Sequence, residues 1–214
     1  MSILARVVFH FLAAVLLTCT LQAQQTAKTV PSRRAVSDPD AGAVTNGVYR
    51  NTGFEFTYKI PFGWVDRTNE MSENSNPDSK APKQSILLLA VFEHPPEATG
   101  ELVNSAVVVA AEAASSYPGL RNAEQYFEPL TVLAKSKNLT VINEPYEFHV
   151  GAMSLVRGDF SRSLGNLTMH QSTLVMMEKG YVVSFTFIGG SENEVDNLME
   201  VLSFGKKEAT ALRK

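Results

Sequence analysis

The side chains able to do chemistry are few and widely spaced. Beyond the first 23 residues there are three histidines, His94, His149 and His170, and no cysteine. No HExxH, no EF-hand loop and no histidine pair at helical spacing supplies a metal-ligand set. No G-x-G-x-x-G or Walker sequence offers a phosphate cradle. Ser154, in Gly-Ala-Met-Ser-Leu, lacks the G-x-S-x-G elbow of a nucleophilic serine. One constellation remains. If a hairpin turn centres near Leu164-Gly165, the numbers of paired residues sum to about 329. His170 then lies opposite Asp159, and a carboxylate beside an imidazole raises its pKa and could poise a general base. The same two residues also make an ordinary cross-strand polar pair on a wet face, the reading favoured here because such pairs are routine in sheets. In that register His149 falls opposite Lys179 or Gly180. It stands about ten residues, or about 30 Å, from His170 along the ladder, too far to share a site.

Two further stretches could bind a ligand. Phe62 and Trp64, in Lys-Ile-Pro-Phe-Gly-Trp, could form an aromatic platform; a tryptophan after such a corner more often packs under the sheet. Gly189-Gly190-Ser191 precedes a helical pattern whose N-terminus would attract an anion. Glu192, Glu194 and Asp196 already complement that dipole and repel phosphate. The formal net charge of −3 and the absence of a basic stripe argue against nucleic acid as a partner. No cofactor is expected.

The elements that must position these residues are legible from periodicity. Phe54 to Ile60 alternates apolar and polar, as a strand with one buried aromatic face does. Pro61 ends its ladder and Gly63 allows a tight bend. Arg67 to Lys83 reads as a long polar loop. Ser85 to Phe92 and Ala106 to Ala111 are continuous apolar runs, expected for central strands covered on both faces. A helical pattern runs from Asn122 to Lys137, with Pro129 either kinking it or standing in its first turn. Tyr146 to Phe160 and Leu167 to Met177 flank a hairpin turn, and Glu178-Lys179-Gly180 makes another before Tyr181 to Ile188. Ser191 and Glu194 stand at capping-box spacing. Val195, Leu198, Met199 and Leu202 follow at helical steps, with Gly205 closing the helix. The expected fold class is α+β: a mostly antiparallel central sheet of about six strands with helices packed on it.

Residues 1–23 read as a signal peptide, with Arg6 as its positive end, Val7 to Leu17 as its apolar run and Leu21-Gln22-Ala23 as its cleavage site. The run is too short to span a membrane, so no membrane span is expected after its removal. Cys19 sits in Leu16-Leu17-Thr18-Cys19, which has the outline of a lipobox, and lipidation there is the alternative. Cleavage after Ala23 is favoured because threonine departs from the small residue that precedes a lipidated cysteine. Residues 24–47 lack apolar periodicity and read as a flexible leader. Residues 48–205 form the folded domain and 206–214 a charged tail.

The opening of that domain, GFEFTYKIPFGW, resembles the start of PsbP-like domains, a group with Mog-type relatives and bacterial secreted or lipoprotein members. Gly53, Phe54, Phe56, Tyr58, Pro61, Gly63 and Trp64 carry the resemblance, and the element order matches from about 48 to 204. The resemblance implies the fold, export, and a binding or accessory role rather than catalysis. It transfers no functional residue to this chain. The expected function is an exported, non-enzymatic binding or accessory domain of the bacterial envelope, with an unknown protein or small molecule as partner. The alternatives are a hydrolase-like enzyme using Asp159 and His170, or a structural lipoprotein anchored through Cys19.

Overall fold

The computed structural model describes residues 40–73, 85–97 and 103–205. The signal segment with Cys19, residues 24–39 of the leader and the charged tail lie outside the described residues. The described residues form two sheets, and every strand pairing in them is antiparallel. The smaller has the order β1 (Ala43–Thr45), β2 (Val48–Asn51), β3 (Phe56–Lys59) and β12 (Leu202–Phe204). The larger has eight strands. Its order is β4 (Val65–Asp66), β5 (Ser85–Phe92), β6 (Ala106–Ala113), β11 (Tyr181–Gly189), β10 (Leu167–Glu178), β9 (Met153–Leu164) and β7 (Thr140–Val141), with β8 (Tyr146–Val150) also pairing with β9. The helices are α1 (Thr68–Glu73), α2 (Phe127–Ser136) and α3 (Glu192–Glu200). Among the described residues, no helix is long and apolar enough to cross a membrane.

The large sheet is the middle layer. On one face its Val107, Leu174, Phe185 and Phe187 pack against Phe54, Phe56 and Tyr58 of the small sheet and its entry turn, and against Val195, Leu198 and Met199 of α3. The rings of Phe56 and Phe185 meet edge to face at 4.9 Å. On the other face Phe160, Met169, Val175 and Val182 receive Phe127, Leu130 and Ala134 of α2. Cover on both sides is why Ser85 to Phe92 and Ala106 to Ala111 are apolar without alternation. A bulge between Leu87 and Leu89 turns Leu88 and Leu89 to the same core, while Leu87, Ala90 and Phe92 face the other. Gly158 on β9 lets α2 approach closely: a Cβ there would sit 2.4 Å from Cε1 of Phe127.

Several expectations need correction. The sheet of about six strands is one of eight with a second of four, because short edge strands carry almost no periodic signal. Folded structure begins before residue 48, since Ala43–Thr45 pairs with Val48–Asn51 across an Asn46-Gly47 turn with both residues in the left-handed region. The polar loop after Arg67 opens with α1. Helix α2 starts at Phe127 rather than Asn122, which selects the second of the two alternatives at Pro129: it stands in the first turn, where its missing N–H costs nothing, and no kink is required. Helix α3 ends at Glu200; Leu202 continues as a strand paired with Tyr58, and Gly205 follows that strand rather than the helix. Tyr146 to Phe160 divides at Gly151 (φ 61°) into β8 and β9, which places His149 opposite Ser154.

Candidate functional site

The β9–β10 hairpin turns through Gly165 (φ 63°) and Asn166, which pairs Leu164 with Leu167 and shifts the register by two from the expected one. Asp159 therefore faces Ser172, and His170 faces Ser161. The expected pair become diagonal neighbours on one face of the sheet. Arg157 lies two residues before Asp159 and so shares that face, while Gly158 between them points to α2.

That face, at the N-terminus of α3, carries an open cleft of about 150 Å³. The Arg157–Asp159 ion pair forms its floor, with Nε to Oδ1 at 2.8 Å and side chains only 14% and 15% exposed. Asp159 is saturated. Its Oδ1 also accepts the Ser172 hydroxyl, and its Oδ2 accepts Asn143 Nδ2 at 2.9 Å and the Tyr146 hydroxyl at 3.2 Å. Its backbone N–H donates to Asn143 Oδ1 at 3.3 Å. Arg157 Nη2 donates to Ser172 Oγ at 3.1 Å and to Asp196 Oδ1 of α3 at 3.0 Å. The guanidinium lies 5.3 Å from the Phe148 ring centroid and 5.9 Å from that of Tyr146, within cation–π range.

The electrostatics follow from these contacts. Burial alone would raise the Asp159 carboxyl, but the hydrogen bonds from Ser172, Asn143 and Arg157 and the Arg157 charge outweigh it and hold its pKa below the ordinary value. Burial would lower the Arg157 pKa; bonding to Asp159 and its charge raise it instead. Tyr146 is pushed up, first by burial and then by the Asp159 charge. A carboxylate whose lone pairs are filled and whose proton affinity is depressed is a weak base. Its geometry suits a frame that fixes β8, β9, β10 and α3 relative to one another.

His170 lines the cleft beside this frame, and its nearest acid is Glu192 of α3, with Nδ1 to Oε1 at 3.8 Å. Ser172 is 3% exposed and donates to Asp159, so its hydroxyl is held as a link in the frame. At the helix start the Ser191 side chain accepts the Glu194 N–H at 3.2 Å, and Glu194 accepts Gly190 N–H at 2.8 Å and the Ser105 hydroxyl. Carboxylates fill the N-terminal role as the sequence indicated.

The aromatic candidates separate. Phe62 is fully exposed, at 106%, on the corner after β3, whereas Trp64 is partly buried against the core. They form no joint platform with Asp159 and His170, since neither lines the cleft. Sequence reading missed Arg157, Ser172, Asn143 and Tyr146. Arg157-Gly158-Asp159 did hold a signal: opposite charges two apart on a strand share a face. Asn143 and Tyr146 reach Asp159 from a loop and an edge strand, which no local pattern announces. Among the described residues no group of three or more His, Cys, Asp or Glu side chains is placed to hold a metal ion.

No family model matches the chain, and no curated protein matches it. Several solved structures are similar. A cyanobacterial PsbP from Synechocystis has 10% identity and a TM-score of 0.47, over 82% of this chain and 100% of its own. LpqN of Mycobacterium tuberculosis, described as involved in cell envelope biogenesis, has 15% identity and a TM-score of 0.35, over 71% of this chain and 83% of its own. A Pseudomonas aeruginosa protein of unknown function, called a putative regulator, has 11% identity and a TM-score of 0.36, over 52% of this chain and 80% of its own. The chain is an α+β domain of mostly antiparallel sheet, with a PsbP protein among the solved structures it is similar to.

Proposed function

We propose that this chain is an exported, non-catalytic accessory domain of the bacterial envelope that binds a partner at the cleft beside Arg157, Asp159 and His170. The observation that carries the reading is the saturation of Asp159 by donors from Arg157, Ser172, Asn143 and Tyr146. In the enzyme reading His170 is the base and Asp159 the carboxylate that orients it; here other donors fill the Asp159 lone pairs, while a rigid floor under an open cleft is what recognition needs. Export rests on residues 1–23, with their positive end, short apolar run and small-residue cleavage site.

The test is twofold. Purified mature chain should turn over none of a panel of esters, glycosides and phosphate esters, and a fragment screen by NMR should shift signals of His170 and Ile142. Hydrolysis that disappears in His170→Ala would overturn the reading in favour of an Asp159/His170 enzyme. Mass spectrometry of the exported protein should show an unmodified chain beginning at Gln24, and a diacylated Cys19 would replace free export with a lipid anchor.

A further inference from the structure

We infer that the cleft takes a neutral, polyhydroxylated ring, such as one pyranose unit of a glycan. This inference rests on the reading of the cleft as a binding site. Size is the first argument. A volume of about 150 Å³ holds about five waters, well below the about 300–1,000 Å³ of a drug-sized pocket. One six-membered ring fits that space; a peptide segment or a nucleotide does not.

Charge is the second. Arg157 is already shared between Asp159 and Asp196, and with Glu192 beside His170 three carboxylates stand against the one guanidinium. An anion would compete with those carboxylates for Arg157, and a cation would compete with Arg157 for them. Donor and acceptor capacity both remain. Of the five N–H bonds of Arg157, Nε and Nη2 have acceptors, whereas Nη1 has none among the described residues. Asp196 gives only Oδ1 to Arg157, and Glu192 is 76% exposed. The rim thus offers donor and acceptor capacity side by side. Each hydroxyl of a vicinal diol both donates and accepts, so a diol satisfies an arginine and a carboxylate together where a singly charged group satisfies one.

The walls supply the third argument. Of the apolar residues in the lining, Phe160 and Val195 are buried in the two cores, and Ile142 presents apolar surface to the C–H face of a saturated ring. Ile142 is 52% exposed, so about half of its surface is open to a ligand.

Saturation-transfer NMR on the mature chain tests this with methyl α-glucopyranoside and methyl α-mannopyranoside as neutral probes, and acetate and methylammonium as charged ones. At least one glycoside should show transfer, with the weak affinity expected of so small a contact. Binding should fall about tenfold in Asp196→Ala, the loss of one charge-assisted hydrogen bond. It should also fall in Ile142→Trp, which fills the cleft while leaving every polar group in place. Transfer to acetate or methylammonium without transfer to either glycoside would overturn the inference while leaving the binding reading intact. No transfer to any probe, together with no fragment found in the cleft, would overturn both.

Discussion

Arg157→Met removes the charge and the three hydrogen bonds that Arg157 makes to Asp159, Ser172 and Asp196, while keeping an apolar stem over Phe148. Asp159 would keep Ser172, Asn143 and Tyr146 as donors but lose its counter-ion. Breaking a fully buried pair costs about 3–5 kcal/mol; with both side chains still 14–15% exposed above an open cleft, the cost is reduced to about 2–3 kcal/mol. For a domain of this size that lowers Tm by about 5–10 °C. Asp159→Asn should cost a similar amount, and the double variant should cost less than the sum by about 1–2 kcal/mol, because the second substitution removes an already orphaned partner. The pH dependence has a definite sign. The folded-state pKa of Asp159 is depressed, so its contribution is complete above the unfolded value of about 3.9 and is lost as pH falls through the lower folded value. The stability gap between wild type and Asp159→Asn should therefore narrow below about pH 4. Urea denaturation of the four proteins at two pH values measures all of this. Strictly additive costs, or a gap that widens on acidification, would refute the view of the pair as a coupled frame.

Two further substitutions probe the layers around that frame. Gly158→Ala would drive a Cβ to within 2.4 Å of Phe127 and should destabilise the protein by about 1–3 kcal/mol. Phe127→Leu in the same chain should recover part of the loss, which thermal melts would show. The Tyr58 hydroxyl is buried with no partner among the described residues, and burial pushes its pKa up. Tyr58→Phe should therefore leave stability unchanged or raise it by about 1 kcal/mol, read as a shift in the urea midpoint.

The sequence announced what short-range periodicity can carry. The apolar runs at Ser85 to Phe92 and Ala106 to Ala111 became neighbouring strands inside the large sheet, and the aromatic alternation became a strand from Phe56 to Lys59 only: Glu55 takes φ 55° in the turn before it, while Phe54 still packs in the same core. The capped helix at Ser191 stands where its spacing placed it. The failures were non-local. Leu202 fits a helical step equally well, and only pairing with Tyr58, far back in the chain, makes it a strand. The register of β9 on β10 depended on whether Leu164-Gly165 or Gly165-Asn166 forms the turn. That choice decided whether Asp159 met His170 or Ser172. Side-chain alternation survives a shift of two, so the correct face was legible while the partner on it was not. Asn143 and Tyr146 complete the site from separate segments, and only the folded edge of the sheet brings them to Asp159.

Whether Asp159 is a filled, ionised frame or a poised base is settled most directly by its own titration. Carboxyl-carbon NMR of the mature chain, with Asp159→Asn to assign the signal, would follow it through acid pH. The expected midpoint lies below the ordinary aspartate value of about 3.9, because the donors from Ser172, Asn143 and Arg157 favour the charged form. A midpoint raised toward neutrality would contradict the frame and restore Asp159, with His170 beside it, as acid–base machinery.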